Sequence, residues 1–400
     1  MLNLYLDIVI NYITFKMTAT AAKRWTLNSQ LLLAIQNNDV TGASKLFNEG
    51  LDADTRFCIN SEKLPAICLS VRNNDLNMVK LLIGLGASVN QRDSNGESPL
   101  HITCEHGYFL IAKLLLDNRA DVQCKNKNGQ TPIHLAAKMG RTDMVNVLIS
   151  YGASLNKTDN LGRTPLHYAA AINYSAVVRV LLEAGADAKV IDKHGNTALH
   201  FAADSVGMNS EGIVYLCTTY PLAALRSNEQ SKTPLHIVVG ANRRGQEEAL
   251  RVMLNAITVK GSLALPVLLS PRSQRGHTPL HLAVLERKVS LVRLLIASGA
   301  EVDTRDQLGR TPLDCAVRDS DWNIVALLLA AGASVRRLIN EGRMIHHVED
   351  DLMCDMLLNS AFIPMKLTAL CRRTISRTWG PTFQRNLASI PRRWRDFLVI

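Results

Sequence analysis

The residues of this chain best suited to chemistry are its histidines and cysteines, and their spacing decides what they can do. His101, His134, His167, His200, His236 and His281 each close a four-residue motif of the form Thr-Pro-Leu-His or a near variant. A zinc site needs ligands that converge on one point. Residues in the same slot of successive copies form a ladder instead, so the pattern implies structural hydrogen bonding and no metal. The cysteines Cys58, Cys68, Cys104, Cys124, Cys217, Cys315, Cys354 and Cys371 stand singly, without a CxxC pair and mostly within apolar segments. Such scatter predicts reduced side chains packed as small hydrophobes, and hence the cytosol or nucleus. The sequence contains no phosphate loop, nucleophile elbow or HExxH pair. The expectation is a chain that is not an enzyme and uses no cofactor.

The elements that hold these histidines repeat with them. The motif begins at Ser98, Thr131, Thr164, Thr197, Thr233, Thr278 and Thr311, in steps of 33, 33, 33, 36, 45 and 33. Thr suits a helix start because its hydroxyl can cap it, and Pro at the first helical position gives up no needed hydrogen bond. Small residues follow, such as Ala136-Ala137 and Ala169-Ala170, letting neighbouring helices approach closely. A break near Gly140 leads to an apolar second helix, which Gly152-Ala153, Gly185-Ala186, Gly299-Ala300 or Gly332-Ala333 closes with a left-handed cap. Turns such as Asp159-Asn-Leu-Gly162 and Asp192-Lys-His-Gly195 then form a finger to the next unit. Helices this short are marginal alone and must stack.

This unit resembles the ankyrin repeat. The resemblance implies an all-α solenoid of about nine or ten helix-pair units with hairpin fingers over 31–360. Leu31 to Asp54 reads as a capping unit, Pro65-Ala-Ile-Cys68 as the motif of an early unit, and Met344-Ile-His-His347 as a worn final one. Residues 1–30 are expected to be a leader: a helix packed on the first unit, or a variable segment ahead of Met17. The first fifteen residues are too short and too polar for a membrane span, and Asp7 and Asn11 interrupt them. One departure stands out. The unit from Thr233 carries extra residues from Asn255 to Gly276, with Leu263, Leu265, Leu268 and Leu269 beside Lys260, Arg272 and Arg275. Two readings stay open for it: a loop packed on its own unit, or a loop that meets a partner.

The chain is 47% hydrophobic and only 5% aromatic, which leaves the packing to Leu, Ala, Val and Ile. Its formal net charge of +10 would suit nucleic acid, but the charge sits in the wrong place. From Lys366 onward eight basic residues face one acid, so that segment carries +7 and the long body only +3. Neither nucleic acid nor membrane is an expected partner.

The final segment has its own pattern. On a helix over 366–379, Leu367, Leu370, Cys371, Thr374, Ile375, Thr378 and Trp379 share one half of the circumference, and Arg372, Arg373, Ser376 and Arg377 the other. A terminal helix packed on the last unit would fit this periodicity. The residue types point further. Leu367, Cys371 and Ile375 at four-residue spacing resemble the elongin-binding box of the SOCS box. Ile390-Pro391, Trp394 and Phe397-Leu398 resemble that module's terminal, cullin-facing segment. There the family usually reads Leu-Pro-Leu-Pro, whereas this chain has Ala388-Ser-Ile-Pro391, and Trp394 stands where Leu is common.

Repeats followed by such a box over 361–400 are similar to the ankyrin repeat and SOCS box family. That resemblance implies a substrate receptor of a cullin–RING ubiquitin ligase. Leu367, Leu370, Cys371 and Ile375 would then contact elongin C, paired with elongin B. Ile390, Pro391, Trp394, Phe397 and Leu398 would face the cullin scaffold that carries the RING protein. The repeats would hold an unknown target protein, with the finger residues Arg163, His194 and Arg310 as candidate contacts. The other class of function is a plain ankyrin scaffold or inhibitor, its terminal helix serving only as a cap.

Overall fold

The computed structural model describes residues 19–59, 62–205, 210–241, 245–259 and 268–334. The residues of the elongin and cullin segments, the worn unit at Met344, most of the leader, and Lys260, Leu263 and Leu265 lie outside them. The chain divides into two compact units, Met1–Ser205 and Val206–Ile400.

In the first unit, α1 (Ala19–Gln36) and α2 (Val40–Asn48) form the capping pair. α1 begins ahead of Leu31 and buries Leu31 and Ile35 completely. Asp39 starts α2 by accepting the amide of Gly42 at 2.8 Å. An antiparallel pair follows, β1 (Arg56–Ile59) and β2 (Glu62–Pro65), with Phe57 opposite Leu64. Alternation puts both of those side chains in the core, and this hairpin is an addition to the all-helical expectation. Then come the pairs α3 (Ala66–Arg72) and α4 (Leu76–Gly84), α5 (Pro99–His106) and α6 (Phe109–Asp117), α7 (Pro132–Lys138) and α8 (Thr142–Ser150), and α9 (Pro165–Ala171) and α10 (Ser175–Glu183). The unit ends with α11 (Ala198–Asp204).

The first helices α3, α5, α7, α9 and α11 pack in one row, and the second helices α2, α4, α6, α8 and α10 in another. Alanines explain the closeness of the first row: Ala136, Ala137, Ala169 and Ala170 are at most 1% exposed, so no larger side chain has room there. The second row supplies longer apolar side chains, among them Leu115, Met144, Leu148 and Leu181, all fully buried. Each is worth about 1.5–3 kcal/mol of burial, realised only against neighbouring units. The second helices α2, α4, α8 and α10 close through a glycine with positive φ, for example Gly152 at 81°, and α6 closes through Arg119 at 65°.

The second unit holds α12 (Glu211–Thr219), a 3-10 turn at Pro221–Leu225, α13 (Pro234–Gly240), α14 (Gln246–Val259), α15 (Pro279–Leu285), α16 (Val289–Ala297), α17 (Pro312–Arg318) and α18 (Trp322–Ala330). Part of the sequence insertion lengthens α14 to 14 residues, against 9 in α16 and α18. Leu268 and Leu269, beyond it, are at most 3% exposed, so this part of the insertion packs inward.

Candidate protein-binding face

Five of the six motif histidines bond through both ring nitrogens inside the fold. The amide of Thr131 donates to Nδ1 of His134 at 3.1 Å, and the Thr131 hydroxyl lies 2.8 Å from the same nitrogen. With Nδ1 accepting, the proton belongs on Nε2, which donates to the carbonyl of Arg163 in the next unit at 3.1 Å. The same bridge runs from His101 to Gln130, from His167 to Asn196, from His236 to His277 and from His281 to Arg310, at 2.9–3.1 Å. Burial pushes His101, His134, His236 and His281 down to about 4 from an ordinary 6.5, although the carbonyl bond acts in the opposite sense. Asp314 takes the histidine slot in the last described motif and accepts the amide of Thr311 at 2.7 Å. A carboxylate has no proton to pass onward, so the bridge to a following unit is missing from that slot.

The six cysteines among the described residues are free thiols, and burial raises those of Cys68, Cys104, Cys217 and Cys315 far from the thiolate range. Cys68 fills the histidine slot of the early unit. Among the described residues no group of three or more His, Cys, Asp or Glu side chains is placed to hold a metal ion, and no helix is long and apolar enough to cross a membrane.

Four fingers of the first unit are each built on one Asp or Asn whose side chain accepts amides two and four residues ahead. Asp93 takes those of Asn95 and Glu97, Asn126 those of Asn128 and Gln130, Asp159 those of Leu161 and Arg163, and Asp192 those of His194 and Asn196. Backbone bonds join neighbouring tips, from Lys127 to Asn95, Asn160 to Asn128 and Lys193 to Leu161, at 2.9–3.0 Å. In the second unit Gln307 bonds to Arg275 at 3.1 Å in the same way. Gly276 shows what this contact demands: its φ is 75°, and a Cβ there would lie 2.6 Å from the amide nitrogen of Gln307. Only glycine fits both conditions.

The three finger residues singled out from sequence are placed differently. Arg310 is clamped to its own finger, with Nη2 and Nε 2.7 and 2.8 Å from Oδ2 of buried Asp306. Burial works to raise the Asp306 carboxyl, and the amide and guanidinium of Arg310 more than reverse that, holding it below the ordinary value. Arg163 sits one unit out of step, 3.9 Å from Asp192 of the next finger and 5.0 Å above the ring of Phe201. His194 is exposed at a fingertip.

Sequence reasoning passed over a row of apolar residues. The first helices are buried almost throughout, and exposure begins at their last turn. Met139 and Ile172, which follow α7 and α9, are 40% and 44% exposed. At the fingertips Leu161 is 47% exposed. Tyr168 of α9 lies between these levels, its hydroxyl donating to Asp159 at 2.7 Å and accepting from Gln130 at 2.8 Å. Burial and then the Asp159 bond raise its phenol above the ordinary value. Laying the units over one another would have exposed the signal, because the slot of Met139 and Ile172 holds Glu286 and Asp319 in later copies.

A rigid stack with rings and carboxylates committed to its own backbone, and variable side chains outside, is the architecture of a protein-interaction module. The profile of the ankyrin-repeat family, described as Ankyrin repeats (3 copies), matches residues 31–126, 118–192, 153–226 and 256–338, and the chain belongs to that family. A stretch of 50 residues, 12% of the chain, is 44% identical to protein phosphatase 1 regulatory subunit 27 of Mus musculus, and equally to that of Homo sapiens. The stretch spans about a third (32%) of the length of those relatives. As an ankyrin-repeat protein, the chain serves protein–protein interaction.

Proposed function

We propose that this chain is the substrate-recognition subunit of an elongin–cullin–RING E3 ubiquitin ligase. Its repeats hold a target protein, and residues 361–400 form a SOCS box that recruits elongin B/C and the cullin. One observation carries the reading: Leu367, Cys371 and Ile375 recur at four-residue spacing and precede Ile390-Pro391, directly behind an ankyrin array. Leu367 is the anchor for an elongin C pocket, where burial contributes about 1.5–3 kcal/mol. Cys371 allows close approach, and Leu370 and Ile375 extend the contact. Ile390, Pro391, Trp394, Phe397 and Leu398 face the cullin. Catalysis lies with other subunits, and this chain acts by bringing a target close to them.

The alternative is an ankyrin scaffold or inhibitor without a ligase link, and the short likeness to a phosphatase regulatory subunit favours that class. Co-purification from cells separates the two. The ligase reading expects elongins B and C with the wild-type chain, and their loss with Leu367→Asp and Cys371→Arg. Wild-type chain that brings down no elongin supports the scaffold instead.

A further inference from the structure

We infer that the first unit receives an acidic, apolar-anchored segment of a partner protein on the strip formed by Leu161, Tyr168, Met139 and Ile172, with Lys127 and Lys193 supplying the charge. This inference rests on the target-receptor reading above and names the chemistry of the target.

The anchor half comes from the exposure of Leu161, Met139 and Ile172, each at least 40% open. They do not stand scattered. Met139 and Ile172 hold the same slot in adjacent units, and α7 and α9 pack directly on each other. Leu161 lies in the finger that leads into α9. α9, seven residues and about 10 Å long, separates the finger of Leu161 from Ile172, so one extended or helical segment laid along it can reach both ends. Tyr168, half-buried and fixed by two hydrogen bonds, has little rotamer freedom left to lose. Rigid aromatic and aliphatic side chains of this kind make binding hot spots.

The charge half follows from how the fingers are built. Their acids point inward: Asp159 and Asp192 are at most 8% exposed and spend their oxygens on finger amides and on Tyr168. Their cations point outward: Lys127 and Lys193 are exposed and have no carboxylate partner among the described residues. Arg92 and Lys125 donate to the carbonyls of Lys125 and Thr158, which leaves their charge uncancelled. The exposed acids of these segments, Asp121 and Asp187, lie at the other end of the fingers and accept the amides of Gln123 and Lys189. The finger tips beside the apolar strip are thus positive, while Glu97 and Asp204 carry negative charge one unit away on either side. Nucleic acid would use the lysines and leave Leu161, Met139 and Ile172 idle, so the combination selects a protein segment.

Selection of a phage-displayed 12-residue peptide library on the full chain tests this. Enrichment of peptides rich in Asp and Glu around an aliphatic or aromatic residue is expected. Their affinity should fall at least tenfold with Ile172→Glu and with Lys193→Glu, and stay unchanged with Leu308→Ser in the second unit. No enrichment, neutral or basic winners, indifference to both variants, or displacement of the peptide by a single-stranded oligonucleotide at matching affinity overturns the proposal. Elongin B/C binding should be equal in wild type and Ile172→Glu, so failure here is distinct from failure of the ligase reading.

Discussion

The two compact units share a buried plan and differ where they meet solvent. In the first, the slot at the end of each first helix reads Asn73, His106, Met139, Ile172 and Ser205, with two large apolar residues; in the second it reads Ala241, Glu286 and Asp319, with none. Arg163 and Arg310 hold one position in their repeats, yet Arg310 closes on its own Asp306 while Arg163 reaches over the next finger to Asp192 and Phe201. Gln274 meets the preceding finger through its side chain, at the carbonyl of Glu229, where the first unit uses backbone bonds. Slots that carry the histidine bridge tolerate little change, since each must satisfy a neighbour. Exposed slots carry no such duty, and differences between copies there are where partner choice can be written.

The largest effect should be shared by both units. The bridging histidines fold neutral, with folded values near 4 against 6.5 when unfolded. The unfolded chain therefore binds more protons between these values, so stability is full above about pH 6.5 and is lost as pH falls toward 4. Each histidine contributes on the order of 2–3 kcal/mol of that loss. Urea melts followed by circular dichroism from pH 7.5 to 4 should show the midpoint falling through this window; a flat profile would mean that the rings charge without penalty.

Substitution then separates a bridge from a simple cap. His134→Leu strands the Thr131 amide and the Arg163 carbonyl together and should cost about 2–4 kcal/mol. Asp314→Leu removes only the acceptor for Thr311 and should cost about 1–2 kcal/mol. Equal losses in denaturant melts would remove the distinction between the two slots.

The paired arginines give a smaller contrast. Arg310→Ala leaves the buried Asp306 carboxylate short of its partner and should cost about 2 kcal/mol. Arg163→Ala gives up a distant ion pair and a ring contact, worth under about 1 kcal/mol. Smallest of all, Ile172→Glu should leave thermal stability within about 0.5 kcal/mol of wild type, because the side chain is 44% exposed. A large drop would make Ile172 a packing residue and not a surface one.

Much of the fold was legible because it is written several times. The Thr cap, the Pro that follows it, the alanine pairs and the Gly closures each recur, and all of them appear in the structure in the expected roles. The hairpin from Arg56 to Pro65 was not legible: four alternating residues occur once, and no second copy marks Phe57 and Leu64 as a pair. The insertion was half legible, since its length is plain from the spacing but its helical extension to Val259 follows from packing. At the binding face the fingers could be placed from their Asp and Gly residues. The commitment of Arg163 and Arg310 could not, because their partners depend on which finger lies within reach. The tail that carries the ligase reading was found by residue type at fixed spacing, and Leu367, Cys371 and Ile375 lie outside the described residues.

Calorimetric titration of the full-length chain with purified elongin B/C addresses the proposed role most directly. The account expects one-to-one binding with Kd below about 1 μM, or about −8 kcal/mol. It expects the same heat from Ile172→Glu and at least a tenfold weaker response from Leu367→Asp. A wild-type chain that gives no binding heat, or a Leu367→Asp variant that binds as wild type does, would contradict it.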